Sequence, residues 1–221
     1  MTTMPRPFAG LGAHLDALHV ALDSVRSDIP RLEVWGAHLA RVLAGGGRLL
    51  AAGNGGSAAH AQHLTSELVG RFVHDRRPFS ALALHAETSS VTAIANDYGV
   101  DAVFARQVEA HGRPGDVLLV LSTSGRSPNV LAAVAAAHRC RVTPWALTGP
   151  IPNPVARRAD DSIGVAAPST ATVQEVHQVL VHLLCTAIER NLSCTDGSVG
   201  AIREPTANPT AMPAGATRGE P

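Results

Sequence analysis

The stretch RLLAAGNGGSAAHAQHLTSELVGR, residues 48–71, runs from a short apolar segment through a glycine-rich turn into a helical pattern. The same order recurs at residues 117–139, where VLLVL precedes the hydroxyl-rich STSGRS and an alanine-rich helical segment. Short apolar runs separated by helical segments are typical of a parallel sheet covered by helices on both faces. The sequence therefore predicts an α/β fold with a doubly wound parallel sheet.

The N-terminal part of the chain is helical rather than alternating. Its apolar residues recur at steps of three and four and form one helical stripe, namely Leu11, Leu15, Leu18, Leu22, Val25 and Ile29. We expect Pro30 to end this helix and a second helix to cover Leu32–Leu43. Such a stripe is typical of a packing face, and a leading helical hairpin often lies at the contact between subunits.

The pattern divides the chain into three parts. Residues 1–46 are predicted as an N-terminal helical hairpin, residues 47–191 as one sheet-and-helix domain, and residues 192–221 as a disordered tail rich in Pro, Gly, Thr and Ala. In the domain, strands are expected at 48–52, 80–84, 117–121, 142–147 and 162–165, and the last helix at 173–190.

Composition excludes several classes of protein. The chain has 221 residues and no lysine, so all 18 of its basic residues are arginines, and a lysine Schiff base or P-loop lysine is excluded. The formal net charge of zero argues against a nucleic-acid or membrane-surface protein. Three scattered cysteines and the lack of an apolar leader or spanning segment predict a cytoplasmic protein.

Two loops lie where ligands collect in open parallel sheets, beyond the carboxyl ends of strands. Residues 53–57 contain three glycines and expose backbone N–H groups at a helix start. Residues 122–127 offer four hydroxyls, again directly before a helix. In a chain with no lysine, hydroxyl groups and the N–H groups at helix N-termini suit the phosphate monoester of a small sugar. The spacing of the glycines in residues 53–57 does not match a dinucleotide-binding motif.

Two helices carry polar residues that suit catalysis or metal binding. His63 and Glu67 are four residues apart and share a helix face, and the last helix carries Gln174 and His182, eight residues apart. These four side chains offer nitrogen and oxygen ligands of a type that zinc accepts, although glutamine is an uncommon one.

Four motifs together resemble one known family. GNGGSAAHAQHLTSELVGRF at 53–72, NDYG at 96–99, STSGRS at 122–127 and VQEVHQVLVH at 173–182 are similar to segments of the sugar isomerase (SIS) domain family, and within it to the phosphoheptose isomerases. The resemblance spans about residues 10–191, in the family's order and spacing.

This resemblance implies roles for individual residues. It places the sugar beside Asn54, Gly55, Gly56, Ser57, Arg71, Asn96, Asp97 and Gln174, and the phosphate on Ser122, Thr123, Ser124 and Ser127. It implies that Glu67 and His182 are the acid/base pair, with Glu67 also contacting substrate. It further implies one zinc ion per subunit, held by His63, Glu67, Gln174 and His182.

The family also implies an assembly and a reaction. We expect a homotetramer with active sites between subunits, which interconverts sedoheptulose 7-phosphate and D-glycero-D-manno-heptose 7-phosphate through an enediol. Whether Glu67 acts mainly as the base or as a metal ligand stays open at this stage.

One segment departs from the family pattern. Family members usually carry an Asp and an Arg just before the QExH segment, whereas residues 168–173 here have no charge. Either Ala171 replaces the aspartate or a short deletion removed it. Two alternatives therefore stand beside the isomerase. One is a non-catalytic SIS regulatory protein of the kind that binds the bacterial replication initiator, and the other an isomerase of another sugar phosphate. Retention of Glu67 and His182 favours the enzyme.

Overall fold

The computed structural model of the chain describes residues 10–195, with side chains described to residue 192. Five parallel strands form one sheet: β1 (Leu49–Gly53), β2 (Ala81–Ala83), β3 (Val117–Ser122), β4 (Thr143–Thr148) and β5 (Asp161–Gly164). Their order across the sheet is β2-β1-β3-β4-β5. The predicted doubly wound sheet is confirmed.

Within residues 10–195, eight α-helices surround the sheet: α1 (Leu11–Ser24), α2 (Ile29–Ala44), α3 (Gly56–Val69), α4 (Thr88–Tyr98), α5 (Val103–His111), α6 (Pro128–Arg139), α7 (Pro154–Arg158) and α8 (Thr170–Thr195). Two single 3-10 turns join neighbouring helices, Val25–Asp28 before α2 and Val100–Ala102 before α5.

The strands divide the core into two halves because successive side chains point to opposite faces. In β3, Val117, Leu119 and Leu121 pack with α2, α3 and α8, whereas Leu118 and Val120 pack with α5 and α6. Both halves are buried, which explains why the central strands are continuously apolar.

The strand order places a crevice at the carboxyl ends of β1 and β3. From β1 the chain crosses to β2 at one edge, and it then returns to β3 on the other side of β1. This reversal leaves the loops after the two strands facing each other, at the position where doubly wound sheets bind ligands. These loops are the glycine-rich residues 53–57 and the hydroxyl-rich residues 122–127.

The two predicted N-terminal helices are present, but the boundary between them is shifted. The prediction that Pro30 ends the first helix is wrong: α1 stops at Ser24, and Pro30 lies in the first turn of α2. A proline is accepted there because the first-turn N–H groups have no partner within the helix. Both helices pack against α8.

Only part of the predicted apolar stripe is buried. Leu18 and Leu22 pack against the core and Val25 is buried, whereas Leu11 and Leu15 are 91% and 64% exposed in the single chain. The N-terminal end of α1 therefore presents apolar side chains that this chain does not cover.

The C-terminal helix α8 is longer than predicted, beginning at Thr170 and continuing to Thr195. Ser169 caps its start, since the Ser169 Oγ accepts a hydrogen bond from the Thr172 N–H at 3.1 Å. Residues 196–221, most of the predicted tail, lie outside the described residues. No helix in the described part of the chain is long and apolar enough to cross a membrane.

Candidate active site

The glycine-rich turn brings the start of α3 against α8. Gly55 has φ +54°, a left-handed conformation that favours glycine. A Cβ on Gly56 would lie 2.6 Å from Nε2 of Gln174, so the missing side chain lets α8 approach the turn. Gln174 is thereby placed beside the turn.

The hydroxyl-rich loop is shaped around Gly125. The Gly125 N–H donates to both the carbonyl and the hydroxyl oxygen of Ser122, each at 3.1 Å. Gly125 has φ +59°, and a side chain there would collide with the carboxamide of Asn153. The loop is thus fixed around Gly125, and the hydroxyl oxygens of Ser122 and Ser124 accept backbone N–H groups within it.

Ser127 lies at the N-terminus of α6 and makes no capping hydrogen bond to its helix. Its Oγ lies 3.5 Å from the Oγ of buried Ser122. The N-terminus of a helix favours a negative charge because its first N–H groups and its dipole point outward. These two hydroxyls and the helix N-terminus therefore suit a phosphate group.

A reciprocal amide pair joins the two loops. Asn54 Nδ2 donates to Asn129 Oδ1, and Asn129 Nδ2 donates to Asn54 Oδ1, each at 2.9 Å. Asn129 is buried in the first turn of α6. The sequence analysis missed Asn129, because a pair formed across 75 residues leaves no local pattern.

The structure brings three of the four proposed acid/base and zinc residues together. His63 Nε2 lies 2.9 Å from His182 Nε2 and 3.4 Å from Glu67 Oε1. The Nε2 of Gln178, another residue that the sequence analysis missed, lies 3.0 Å from His182 Nε2. Helix α3 supplies the first histidine and the carboxylate, and α8 supplies the second histidine. The i, i+4 spacing of His63 and Glu67 indicates the part of the cluster that lies on α3. The contact with His182 on α8 depends on the tertiary fold.

Burial shifts the pKa values of two side chains of α8, Cys185 and His177, away from neutral pH. Burial, followed by the negative charge of Glu67, raises the pKa of the Cys185 thiol to about 12. Cys185 is therefore an unreactive thiol at neutral pH. His177 is fully buried, and burial lowers its pKa to about 4, with its Nε2 3.1 Å from the Thr148 carbonyl oxygen. It is a neutral imidazole that holds α8 against β4.

Comparison with known proteins agrees with this geometry. The model of the SIS domain family matches residues 15–149. A phosphoheptose isomerase of Streptomyces coelicolor is 62% identical over 192 residues, which are 87% of this chain and 81% of the relative. One from Thiobacillus denitrificans is 52% identical over 76% of this chain and 87% of its own length. The chain belongs to the SIS domain family and, within it, to the phosphoheptose isomerases.

Solved structures of this family share the fold. The phosphoheptose isomerase of Francisella tularensis superimposes with a TM-score of 0.77 at 34% identity, over 81% of this chain and 96% of the other. That of Neisseria gonorrhoeae gives 0.75 at 40% identity, over 81% and 97% of the two chains. The chain therefore shares the overall fold of these two phosphoheptose isomerases.

Three further residues implied by the family, here called the rim residues, make only local contacts: Asn96, Asp97 and Arg71. The exposed Asn96 and Asp97 end α4, where Asn96 Nδ2 donates to Asp97 Oδ1 at 2.8 Å. Arg71 follows α3, and its Nη1 donates to the Val73 carbonyl at 3.2 Å. These contacts are local, so this chain alone does not bring the two groups into the His63–His182 cluster.

A cavity of about 250 Å³ lies beneath α4 and the turn after β1. Its polar lining includes Asn54, Asn129 and His85, and its apolar lining includes Val91 and Phe104. Burial lowers the pKa of His85, which favours its neutral form. His85 is a further residue that the sequence analysis did not select.

The uncharged segment 168–173 spans the start of α8, which begins at Thr170. The Ser169 and Thr172 hydroxyls lie 2.9 Å apart, and Ala171 stands in the first turn between them. Residues 168–173, which carry no charge, thus include the hydroxyl cap of α8.

Proposed function

We propose that this family member interconverts sedoheptulose 7-phosphate and D-glycero-D-manno-heptose 7-phosphate. The observation that carries the proposal is the cluster of His63, Glu67 and His182, which places a carboxylate beside two imidazoles near the crevice of a phosphoheptose isomerase fold. The similar proteins of Streptomyces coelicolor and Thiobacillus denitrificans are named for the same activity.

In this proposal the phosphate binds the hydroxyl-rich loop. Ser122, Thr123, Ser124 and Ser127 surround the N-terminus of α6, and we assign the phosphate oxygens to them. The sugar hydroxyls then extend toward the turn after β1 and the rim, where we assign contacts to Asn54, Gly55, Gly56, Ser57, Arg71, Asn96, Asp97 and Gln174.

Acid/base work falls to Glu67 and His182. Conversion of the ketose to the aldose removes a proton from C1 and adds one at C2, while a second proton moves between the two oxygens. We assign the carbon-bound proton to the Glu67 carboxylate and the oxygen-bound proton to His182. Glu67 has a side chain 19% exposed, and such partial burial limits competition from water.

We further propose that the cluster binds one zinc ion per subunit. The two spacings at His63 Nε2, 2.9 and 3.4 Å, are close to the separation of about 3.3 Å between two ligands on a tetrahedral zinc ion. Within residues 10–195, no three His, Cys, Asp or Glu side chains already form a metal-binding group, so Glu67 and Gln174 would reorient on binding. Zinc would polarise the carbonyl and hydroxyl oxygens of the substrate.

Metal content tests the zinc proposal. Protein purified without a histidine tag is expected to contain about one zinc ion per chain by elemental analysis, and EDTA is expected to remove both zinc and turnover. Metal-free protein that is fully active contradicts the zinc proposal.

We also propose that the protein is a cytoplasmic homotetramer. Apolar side chains stay exposed on α1 and α8, among them Leu11, Leu15, Val179 and Leu183, and a second copy would cover such a surface. Cys140 and Cys185 are free thiols, which fits a reducing compartment.

The activity itself is tested by NMR. Purified protein is incubated with sedoheptulose 7-phosphate, and the anomeric proton signals of the aldose are followed over time. Appearance of the aldose with wild-type protein, and its absence with Glu67→Gln, supports the proposal. If the ketose is unchanged after prolonged incubation with folded protein, the proposed substrate is wrong.

A further inference from the structure

The segment between α3 and β2 depends on a side chain of α8 for its conformation. The Glu189 carboxylate accepts hydrogen bonds from the N–H groups of Val73 and His74, at 3.1 and 3.4 Å. Glu189 is buried with 8% of its surface exposed, seven residues after His182 on the same helix. A buried carboxylate is costly unless it is paired and hydrogen-bonded, so this contact is specific.

Arg76 completes the same arrangement. Its Nε lies 3.9 Å from Glu189 Oε1, and its two terminal nitrogens donate to the carbonyls of Glu67 and Leu68 at 2.7 and 3.0 Å. Those carbonyls belong to the last turn of α3, which has no further N–H groups to bond them. Arg76 therefore ties the segment to the helix that carries His63 and Glu67.

This segment is connected to the proposed active site by Phe72, which lies against the His182 ring, and by Arg71, which the proposed function assigns to the sugar. Arg71 Nη1 donates to the carbonyl of Val73, the same residue whose N–H is held by Glu189. The ring of Phe72 lies 5.8 Å from the ring of His182, measured between centroids. A shift of the Val73 backbone would thus move the Arg71 guanidinium and the Phe72 ring together.

We propose that Glu189 is a positioning residue for substrate binding, acting through Val73 on Arg71. The inference rests on the proposed function, because it takes Arg71 as a contact of the phosphosugar. Glu189 does not touch the substrate in this arrangement. Glu189 fixes the backbone of residues 71–77, between α3 and β2, and so holds the Arg71 guanidinium in position to bind the sugar.

Steady-state kinetics with sedoheptulose 7-phosphate test this role. Glu189→Gln has nearly the same shape but keeps one acceptor oxygen and loses the charge that faces Arg76. We expect its KM to rise about tenfold while kcat changes by less than threefold. A merely structural effect would lower the fraction of active protein, which reduces apparent kcat and leaves KM unchanged.

A double-mutant cycle with Arg71→Ala makes the test specific. If Glu189 acts through Arg71, Arg71→Ala/Glu189→Gln has nearly the same KM as Arg71→Ala alone. Multiplicative increases in KM, or an unchanged KM in Glu189→Gln, overturn the proposal. Glu33→Gln is the matched control, since it breaks the exposed ion pair with Arg190 next to Glu189 and should keep wild-type kinetics.

Two further measurements keep the outcomes separate. If Glu189→Gln does not fold, Arg76→Gln is measured instead, because it removes the positive charge that faces Glu189. We expect the same rise in KM for Arg76→Gln. Wild-type protein without turnover contradicts the proposed function, whereas active wild-type protein with an unchanged KM in the variants contradicts only the role of Glu189.

Discussion

At the scale of single residues, the contact between His63 and His182 limits what Glu67 can do. One of the two ring nitrogens donates its proton to the other at 2.9 Å, and the Glu67 carboxylate lies next to the His63 nitrogen at 3.4 Å. His63 thus lies between His182 and Glu67 and contacts both. A change at Glu67 removes the only carboxylate in this cluster of described residues.

Glu67→Gln is expected to lower kcat by a factor of ~10² to 10⁴, because the amide cannot accept the carbon-bound proton. The fold should be kept, since the substitution preserves shape at a partly exposed position. Turnover is measured with sedoheptulose 7-phosphate, and Glu109→Gln, which breaks only an exposed ion pair with Arg139, is the control. More than a tenth of wild-type turnover in Glu67→Gln would mean that another group is the base.

The amide pair between Asn54 and Asn129 gives a second prediction. Asn129→Ala removes both hydrogen bonds to Asn54, and a lost hydrogen bond at a buried partner costs about 1–3 kcal/mol. We expect kcat/KM to fall about tenfold. Asn129→Asp should be worse, because it adds a negative charge beside the loop assigned to the phosphate. Equal activity of Asn129→Asp and wild type would show that the amide pair does not orient the site.

Residues of the site could be predicted from the sequence where their pattern lies within one short stretch. The His63–Glu67 spacing and the hydroxyls of residues 122–127 could be found in one stretch each. Asn129 and Glu189 could not, because their partners lie 75 and about 115 residues away. Such contacts arise from the packing of α6 and α8, which no local pattern specifies.

At the scale of secondary structure elements, α8 organises the site. It carries Gln174 at the glycine-rich turn, His177 against β4, His182 at the cluster and Glu189 at the 71–77 segment. These residues span 15 positions, about 22 Å of helix at 1.5 Å per residue. One helix thus links the glycine-rich turn, the cluster and the 71–77 segment, and His177 anchors it on the sheet.

The buried His177 makes the packing of this helix sensitive to acid. With a folded-state pKa of about 4 and an ordinary value near 6.5, the unfolded chain binds a proton between these values while the folded chain does not. Stability is fully present above pH 6.5 and falls as the pH drops toward 4. The slope from this residue is at most about 1.4 kcal/mol per pH unit.

His177→Gln should remove the contribution of His177 to the dependence of stability on pH. Its side-chain amide can still donate a hydrogen bond to the Thr148 carbonyl. Unfolding by urea at pH 7.5 and pH 5, at one fixed protein concentration, measures that contribution. The pKa values of His38, His60 and His85 are lowered in both proteins, so both keep the same remaining dependence of stability on pH. Identical pH dependence in variant and wild type would show that His177 is not the neutral buried group described above.

Element types could be predicted well from sequence, but their ends could not. Alternation of apolar runs and helical periodicity predicted all five strands in order. Pro30 was misread because proline is compatible with both the end of a helix and the first turn of the next one. The N-terminal hydroxyl cap at Ser169 likewise starts α8 three residues before its apolar periodicity begins.

At the scale of the whole molecule, one chain leaves apolar surface uncovered. Leu11 and Leu15 on α1 are 91% and 64% exposed, and Val179 and Leu183 on α8, the helix against which α1 packs, are 38% and 39% exposed. The rim residues Arg71, Asn96 and Asp97 likewise make only local contacts. Both observations agree with the proposed homotetramer, in which sites are completed between copies.

Leu15→Asp tests this assembly without disturbing the folded chain. Because Leu15 is largely exposed in one chain, an aspartate there meets water and costs the monomer little. In a tetramer that covers Leu15, the same carboxylate would be buried without a partner, which costs several kcal/mol. We therefore expect dissociation and loss of turnover together, measured by light scattering and isomerase assay on one sample.

Val20→Asp is the matched control on the same helix. Val20 is 68% exposed, but five residues at 100° each place it about 140° around the helix from Leu15, away from the apolar stripe. This variant should stay assembled and active. Dissociated yet fully active Leu15→Asp would show that each chain holds a complete site, so that Asn96, Asp97 and Arg71 reach the substrate within one subunit. An intact, active assembly would place the exposed leucines of α1 outside the contact between copies.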